Sequence, residues 1–272
     1  MKPASAAPSA RVMTGVAVVL TFASGASDVA SFTRLGNVFT SVMTGNITLF
    51  GLSVARGSGS LAAHTTVAVA GYVAGVVVGT RLLWRRAEQE SGPPPAQAPG
   101  GGWPPRVTLT LLAELTLLAG VLAGWELTGT RPSGAAQFVI LAVAACAMGI
   151  QSAAVNQMGL GNVSTTFLTG TLTGLVSAIA RPGSKAGARR AGVLAGLVAG
   201  ALLAGALDAV APAAVPLVPL LGVAAAVSLG SGLYRPAWLE PSAHTDPTDP
   251  ADPASHAEST ASEDPTDPTP PK

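Results

Sequence analysis

The chain has 272 residues, of which 49% are hydrophobic and 11% charged, with a formal net charge of +1. Charged residues make up about a quarter of a typical soluble domain, so this composition excludes an ordinary water-soluble protein. The basic residues are scattered between apolar stretches, which argues against a nucleic-acid-binding face. The composition predicts a polytopic membrane protein whose surroundings are the lipid bilayer.

Six apolar stretches approach or exceed the length of about 18–20 residues that crosses a bilayer as a helix. They are 12–31, 62–83, 107–125, 135–155, 191–210 and 213–233. Two less apolar stretches, 38–55 and 163–180, are rich in Thr, Ser and Gly. We therefore expect an all-α integral membrane protein with about six transmembrane helices and two re-entrant or broken Thr/Gly segments.

The chain repeats itself at an offset of 125 residues. "LGNVFTSVMTGNIT" (35–48) aligns with "LGNVSTTFLTGTLT" (160–173) without a gap, and "AGYVAG" (70–75) aligns with "AGLVAG" (195–200). Composition bias explains the second match but not the polar matches in the first. The repeat predicts an internally duplicated protein, an architecture common among secondary transporters.

The repeat and the composition together predict six regions. These are a cytoplasmic N-terminus (1–11), a first repeat (12–84), a Pro/Gly linker (85–106), a connecting transmembrane helix (107–127), a second repeat (135–233) and a tail (234–272). The tail is acidic and Pro-rich with almost no large apolar residues, so we expect it to be disordered.

Charge predicts the orientation. Cytoplasmic loops carry an excess of Lys and Arg, and six spans with a cytoplasmic N-terminus leave three bases outside, Arg34, Arg56 and Arg131. Eight spans would move four further arginines outside, so six spans are favoured. Three spans per half is an odd number, so the halves would be inverted relative to each other. Both termini of this multi-pass protein would then be cytoplasmic.

Glycines recur every four residues in the third element of each half. They are Gly71, Gly75 and Gly79 in the first half, and Gly192, Gly196 and Gly200 in the second. Small residues at this spacing let helices approach closely in lipid. We predict helix packing within the chain; the alternative is the face of a homodimer.

The Thr/Gly segments are candidate binding sites for a small solute or ion, because broken helices of transporters form their sites near the midplane. The candidates are Asn37, Thr40, Thr44, Gly45, Asn46 and Thr48, with Gln151, Asn156, Asn162, Thr165, Thr169, Gly170 and Thr173. Thr44, Gly45, Asn46, Thr169 and Gly170 are predicted at the centres of the breaks. The alternative is an intact helix in which each Thr hydroxyl bonds the carbonyl of the preceding turn.

Two acids fall inside predicted spans, where an ionisable residue is costly unless it is paired or hydrated. Asp28 lies near the end of the first span and Glu114 near the middle of the third. Either could accept a proton or pair with a cation. The alternative for Asp28 is an interfacial residue that caps a helix or pairs with Arg34.

Motifs for an enzyme are missing from the sequence: we find no nucleophile elbow, no phosphate-binding loop and no metal-ligand spacing. We therefore expect no enzymatic activity, no metal and no cofactor. The single cysteine, Cys146, lies in an apolar run and is expected to pack there.

The segment "GASDVASFTRLGNVFTSVMTGNITLFGLSVA" resembles the signature of the YoaK-like bacterial integral membrane proteins of unknown function. The residues that fit are Asp28, Gly36, Val38, Phe39, Met43, Thr44, Gly45 and Asn46. A later segment resembles the second conserved region of that family through Gly149, Gln151, Asn156 and the pair Thr169-Gly170. The resemblance covers about 12–235 and implies a multi-span inner-membrane protein, without supplying a substrate.

The sequence favours a transporter or channel for a small solute, with a site at the paired Thr-Gly segments. A non-transporting scaffold or partner subunit is the rival function. It predicts Thr-Gly segments that are well packed and dry.

Overall fold

A computed structural model describes residues 10–89, 105–158, 168–179 and 186–231. Within these ranges the chain forms eight α-helices and one short 3₁₀ helix, and no strand. The α-helices are α1 (Ala10–Arg34), α2 (Met43–Ala55), α3 (Gly59–Gln89), α4 (Pro105–Leu127), α5 (Gly134–Gln157), α6 (Leu168–Ile179), α7 (Ala186–Val210) and α8 (Leu217–Ser231), and the 3₁₀ helix is Pro212–Ala214.

The predicted fold class is confirmed: the described chain is all-α, with six helices long and apolar enough to cross a membrane. Each of the six coincides with a predicted span. Helices α2 and α6 have 13 and 12 residues. At 1.5 Å per residue they reach about 20 Å, too short for a hydrocarbon core of about 30 Å.

One predicted boundary is wrong. The linker was expected to begin at residue 85, but α3 continues to Gln89. Residues 85–89 ("RRAEQ") are good helix formers, and the first helix-breaking proline is Pro93. Most of the predicted linker (90–104) and the tail lie outside the described residues.

Packing between the helices follows the same pattern in both halves of the predicted repeat. Helix α1 packs most extensively on α7, and its counterpart α5 packs most extensively on α3. Helix α1 also packs on α8, and α5 on α4. The first helix of each half therefore lies against the third and fourth helices of the other half. This packing makes α4 the counterpart of α8, whereas the sequence suggested that α4 is a separate connector.

Glycines make these crossings close. A Cβ atom added at Gly75 would overlap the carbonyl oxygen of Cys146, and one added at Gly200 would overlap that of Phe22. Added Cβ atoms at Gly71 and Gly196 would lie 2.7 and 2.8 Å from the carbonyl oxygens of α5 and α1 residues.

The remaining two of the six glycines differ from each other. A Cβ at Gly79 would lie 2.8 Å from the Cβ of Ala153, whereas one at Gly192 would make an ordinary 3.5 Å contact with Val18. All six glycines face other helices of the same chain, as expected for packing within the chain.

The predicted six-span topology would place the short helices α2 and α6 at opposite ends of the bundle. Consecutive spans alternate in direction when α2 and α6 do not cross, so α1 and α5 run oppositely. Helix α2 follows the end of α1, and α6 follows the end of α5.

Candidate functional site

Helix α1 carries a buried polar stripe. Thr21, Ser24, Ser27, Asp28 and Ser31 recur every three or four residues, and each is at most 7% exposed. The hydroxyls of Thr21 and Ser24 donate to the carbonyl oxygens of Ala17 and Leu20 one turn earlier. Because residues at this spacing share one helix face, the stripe brings polar groups into an otherwise apolar core.

The interruption between α1 and α2 occupies residues 35–42, before the Thr-Gly pair. Gly36 and Asn37 have φ values of +95° and +59°. A Cβ at Gly36 would overlap the ring of His64, so the turn needs glycine for both conformation and space.

The prediction that Thr44, Gly45 and Asn46 lie at the centre of a break is therefore wrong for this segment. They form the first turn of α2, which begins at Met43. Gly170 likewise lies in the first turn of α6. A glycine in the first turn is tolerated because few intrahelical bonds depend on it there.

Asp28 holds the interrupted segment against α1. Its Oδ1 accepts hydrogen bonds from the backbone N–H groups of Thr40 (2.9 Å) and Ser41 (2.8 Å) and from the Thr40 hydroxyl (3.1 Å). Its Oδ2 accepts one from the Ser41 hydroxyl at 2.6 Å. Both carboxylate oxygens are thus occupied by donors of the interrupted segment.

Neighbouring serines complete this arrangement. The hydroxyls of Ser27 and Thr40 are 3.0 Å apart, and the Ser31 hydroxyl donates to the carbonyl oxygen of Val38 at 2.9 Å. We call this group the Asp28 centre; it comprises Ser27, Asp28, Ser31, Thr40 and Ser41. It lies about 9 Å along α1 from Arg34, since six residues rise about 1.5 Å each.

Asn46 bonds the same segment from the other side. Its side-chain Oδ1 accepts the N–H of Phe39 at 2.9 Å, and its Nδ2 donates to the carbonyl of Phe39 at 2.6 Å. The Asn46 side chain therefore satisfies the backbone N–H and the backbone carbonyl of Phe39, which in a helix or sheet would bond to other backbone groups. At the offset of 125 the corresponding residue is Thr171, which is also buried.

The other predicted site residues do not join the Asp28 centre. Thr44 and Thr48 are exposed, and the Thr48 hydroxyl donates to the Thr44 carbonyl at 3.0 Å, as the intact-helix alternative requires. Asn37, Asn156, Gly170 and Thr173 are also exposed. Asn162, Thr165 and the side chain of Thr169 lie outside the described residues.

Arg34 pairs with Asp208, so the alternative that it pairs with Asp28 is wrong. Its Nε donates to Asp208 Oδ1 at 2.7 Å and joins α1 to α7. The Gln137 side chain donates to the Arg34 carbonyl at 2.9 Å. His64 Nε2 lies 3.0 Å from Gln137 Oε1, which adds α3 to the same end of the bundle.

A second buried acid lies in very different surroundings. Glu114 of α4 is 0% exposed, and neither of its carboxyl oxygens has a hydrogen-bond partner among the described residues. Gln151 of α5 is 1% exposed. Its Nε2 donates to the Leu20 carbonyl (3.1 Å) and the Ser24 hydroxyl (2.9 Å), while its Oε1 has no partner in the described chain. We call these two residues the Glu114 centre.

Sequence reasoning found Asp28, Thr40, Asn46, Glu114 and Gln151 but missed several of their partners. Ser27, Ser31 and Ser41 were missed, although the spacing of polar residues on α1 is a readable signal for the first two. Gln137 and His64, which join α3 and α5 to Arg34 rather than to these five residues, were also missed, because their contact joins residues 73 apart.

A cavity of about 460 Å³ lies between α1, the interrupted segment and α7. Its lining includes Gly25, Asp28, Phe32, Phe39, Val42 and Leu197. Apart from Asp28 and Thr33 the lining is apolar. Among the described residues no three His, Cys, Asp or Glu side chains are grouped as metal ligands would be.

Comparison with known proteins identifies the family of this chain. The model of the family described as "Protein of unknown function (DUF1275)" matches residues 16–229. The chain belongs to this family. It is also 30% identical, over 154 residues, to the "UPF0700 transmembrane protein YoaK" of Bacillus subtilis (strain 168). The predicted YoaK-like membership is thereby confirmed.

The match to the Bacillus subtilis protein covers 57% of this chain and 61% of that relative. The chain thus spans about three fifths of the length of the curated relative that it matches. No solved structure matches the chain. Family membership and the six spans together make this a multi-pass membrane protein.

Proposed function

We propose that the protein moves a small, largely apolar solute across the membrane through the cavity between α1, the interrupted segment and α7. The observation that carries this proposal is the position of the cavity directly against an interruption in the backbone, lined by Phe39 and Val42. Irregular backbone at membrane depth is tolerated only where it is buried in protein or lines a cavity. Transporters use such breaks to form their binding sites.

The volume and the lining of the cavity limit the class of solute that it could hold. A volume of about 460 Å³ is within the range of small-molecule sites, about 300–1,000 Å³. The lining is mostly apolar, and the carboxylate of Asp28 is already bonded to Thr40 and Ser41. A hydrated ion would find few free ligands there, so the solute is small and of low polarity.

The crosswise packing of the halves supports movement as well as binding. Helix α1 belongs to the first half but lies against α7 of the second, and the cavity lies between them. Rocking of one half against the other would open this boundary toward one membrane face at a time. In this proposal the termini are cytoplasmic, α2 lies toward the outer face and α6 toward the inner face.

A scaffold or partner subunit is the second candidate, and one observation favours it. The buried polar groups around the interrupted segment bond to one another, as in a dry, rigid element: Asp28 to Ser41, and Asn46 to Phe39. This candidate needs no opening of the boundary between α1 and α7.

Cysteine accessibility separates the two functions without knowledge of the solute. Val42→Cys and Leu197→Cys line the cavity and would be introduced singly into a Cys146→Ala chain. A membrane-impermeant maleimide would then be added to oriented vesicles from each side. A transporter labels at both positions from both sides, because the cavity opens alternately. A scaffold leaves them unlabelled or labels from one side only.

Two matched controls complete the experiment. Val139→Cys has a side chain that is 61% exposed on the apolar surface of α5, and it should stay unlabelled because it faces lipid. Leu127→Cys is 88% exposed at the end of α4 and should label from one side only. Labelling of Val139→Cys would mean that the reagent enters the bilayer, and the assay would be repeated with a larger maleimide.

A further inference from the structure

We propose that Glu114 is a reversible proton-binding site inside the membrane, with Gln151 as the side chain that receives the hydrogen bond of the protonated acid. The proposal rests on the proposed function, because proton binding would couple transport to the proton gradient. It is carried by three unpartnered acceptor oxygens in one apolar core.

Glu114 has no hydrogen-bond partner among the described residues. The hydroxyl of Thr110, buried one turn before it on the same face, donates to the Arg106 carbonyl instead. Leu111 and Leu118, one turn before and one turn after it, are fully buried in the core cluster formed with residues of α1, α5 and α8. The basic residue Arg106 is about 12 Å away along the axis of α4. An ionised carboxylate in these surroundings would be unpaired in hydrocarbon, which is strongly unfavourable.

Gln151 lies at a matching depth on the neighbouring helix. It is six residues, about 9 Å, from the end of α5, and Glu114 is eight residues from Arg106 at the start of its span. Since α4 and α5 are antiparallel consecutive spans that pack together, these two ends lie at the same membrane face. Met148 and Val155, which flank Gln151 on α5, belong to the same cluster as Leu111 and Leu118.

The hydrogen-bonding groups at this centre indicate that its ligand is a proton. The amide nitrogen of Gln151 is held by α1, through the Leu20 carbonyl and the Ser24 hydroxyl. Its oxygen therefore has a fixed orientation but no donor among the described groups. A protonated carboxyl group carries one O–H donor, which an ionised one lacks. Protonation of Glu114 thus neutralises the charge and supplies a donor for Gln151.

A metal cation fits this centre less well than a proton. Hard cations such as Ca²⁺ and Mg²⁺ take about six or more oxygen ligands. The unpartnered buried acceptors in the described chain are the two oxygens of Glu114 and one of Gln151. The buried side chains of the surrounding cluster, among them Leu111, Leu118 and Val155, are apolar.

The titratable groups on the neighbouring elements are few. On α3, Tyr72 borders the same cluster. His64 of that helix contacts Gln137, near the opposite end of α5. On α5 the titratable side chain is Cys146, and α8 has none. On α1 the described ionisable side chains are Asp28, which is bonded to the interrupted segment, and Arg34, which pairs with Asp208. Helix α3 also carries Arg81, whose side chain is exposed. Among the described residues, neither a hydrogen bond nor an ion pair joins the Glu114 carboxyl group to a basic side chain.

The test uses dicyclohexylcarbodiimide, which enters apolar regions and reacts with protonated carboxyl groups. The acid adds across one C=N bond of the reagent, its proton goes to the nitrogen and its oxygen to the carbon, and the adduct rearranges to a stable N-acylurea. Full-length protein in lipid nanodiscs would be treated over a series of pH values, digested and mapped by mass spectrometry. We expect an adduct at Glu114 that decreases as the pH rises.

Matched variants make the result specific. Glu114→Gln should lose the adduct, while Glu126, exposed near the end of the same helix, should stay unlabelled by this apolar reagent. Gln151→Met should move the labelling curve toward lower pH, because the protonated acid loses its acceptor. A Gln151→Met curve that coincides with wild type would remove Gln151 from the site.

Two results would overturn the proposal: the absence of an adduct at Glu114 at every pH, or labelling that is independent of pH, which would make Glu114 a permanently neutral packing residue. Proton uptake into vesicles that contain a trapped pH dye gives a second measurement, and Glu114→Gln should abolish uptake mediated by the protein. Labelling does not depend on transport. A positive adduct with one-sided cysteine labelling would keep the proton site and refute the transporter.

Discussion

The Asp28 centre and the Glu114 centre contain the same kind of group in the same kind of place, yet they are bonded in opposite ways. Each has a carboxyl group at most 7% exposed, on a membrane-length helix, about 9–12 Å from an end of its span. Asp28 receives four hydrogen bonds, whereas Glu114 receives none from the described residues. Burial alone therefore does not identify a functional acid; the donors around it separate a cap from a candidate proton site.

The largest effect is expected from Asp28→Ala. The substitution leaves the backbone N–H groups of Thr40 and Ser41 buried without their acceptor, and each unsatisfied group costs about 1–3 kcal/mol. We expect the free energy of unfolding, measured by denaturant titration in micelles, to fall by about 3 kcal/mol or more. Asp28→Asn keeps one acceptor oxygen and should lose less. Equal losses for both variants would mean that charge, rather than hydrogen bonding, holds the segment.

A smaller loss in the free energy of unfolding is expected from Asn46→Ala, which removes the support that α2 gives to the same segment. Both backbone groups of Phe39 lose their side-chain partner, at a cost of about 2 kcal/mol. Thr48→Ala is the matched control on the same helix, because its hydroxyl is exposed and bonds only the preceding turn. It should change the free energy of unfolding by no more than about 0.5 kcal/mol. If the two variants were equally stable, Asn46 would not support the interruption.

Matching glycine substitutions in the two halves should destabilise the protein by similar amounts, whereas the two polar centres are expected to differ. Gly75→Ala and Gly200→Ala each push a methyl group into a carbonyl oxygen of the facing helix, and overpacking of this kind costs about 1–3 kcal/mol. Gly192→Ala, with room for ordinary contact at 3.5 Å, is the control and should be nearly neutral. Thermal unfolding in one detergent would compare the three. A loss at Gly75 without one at Gly200 would show that the halves do not pack equivalently.

The smallest effect on stability is expected from Glu114→Gln. No hydrogen bond from the described residues is lost, and the new side chain cannot carry a charge into hydrocarbon. The free energy of unfolding should stay within about 0.5 kcal/mol of wild type or rise. A large loss would reveal a partner of the Glu114 carboxyl group and would make the two centres alike.

Much of the fold was predictable because it depends on local quantities. Span length and hydropathy identified all six transmembrane helices, and the weaker hydropathy of 38–55 and 163–180 identified the short ones. The position of the interruption was not predictable. The Thr-Gly pair suggested a break at residues 44–46, but the break lies at 35–42, where α1 supplies the acceptors of Asp28.

The candidate site was predictable in its residues and not in their roles. Asp28, Thr40, Asn46, Glu114 and Gln151 stand out because polar groups are rare in apolar runs. The sequence could not tell which acid has donors, because the donors of Asp28 lie 12 and 13 residues away in an irregular segment. Arg34 was offered as a partner for Asp28, yet it pairs with Asp208, which is 174 residues distant.

By itself the sequence determined the membrane class, the six spans and the small set of polar residues inside the spans, and it predicted the repeat. Each of these follows from composition and spacing along the chain, since the bilayer selects helices by length and apolarity. Only the tertiary structure decided that α1 packs on the second half, that Asp28 caps the interruption and that Glu114 has no donor among the described groups. These properties depend on which helices meet, and in a bundle of similar apolar helices many pairings satisfy the same hydropathy pattern.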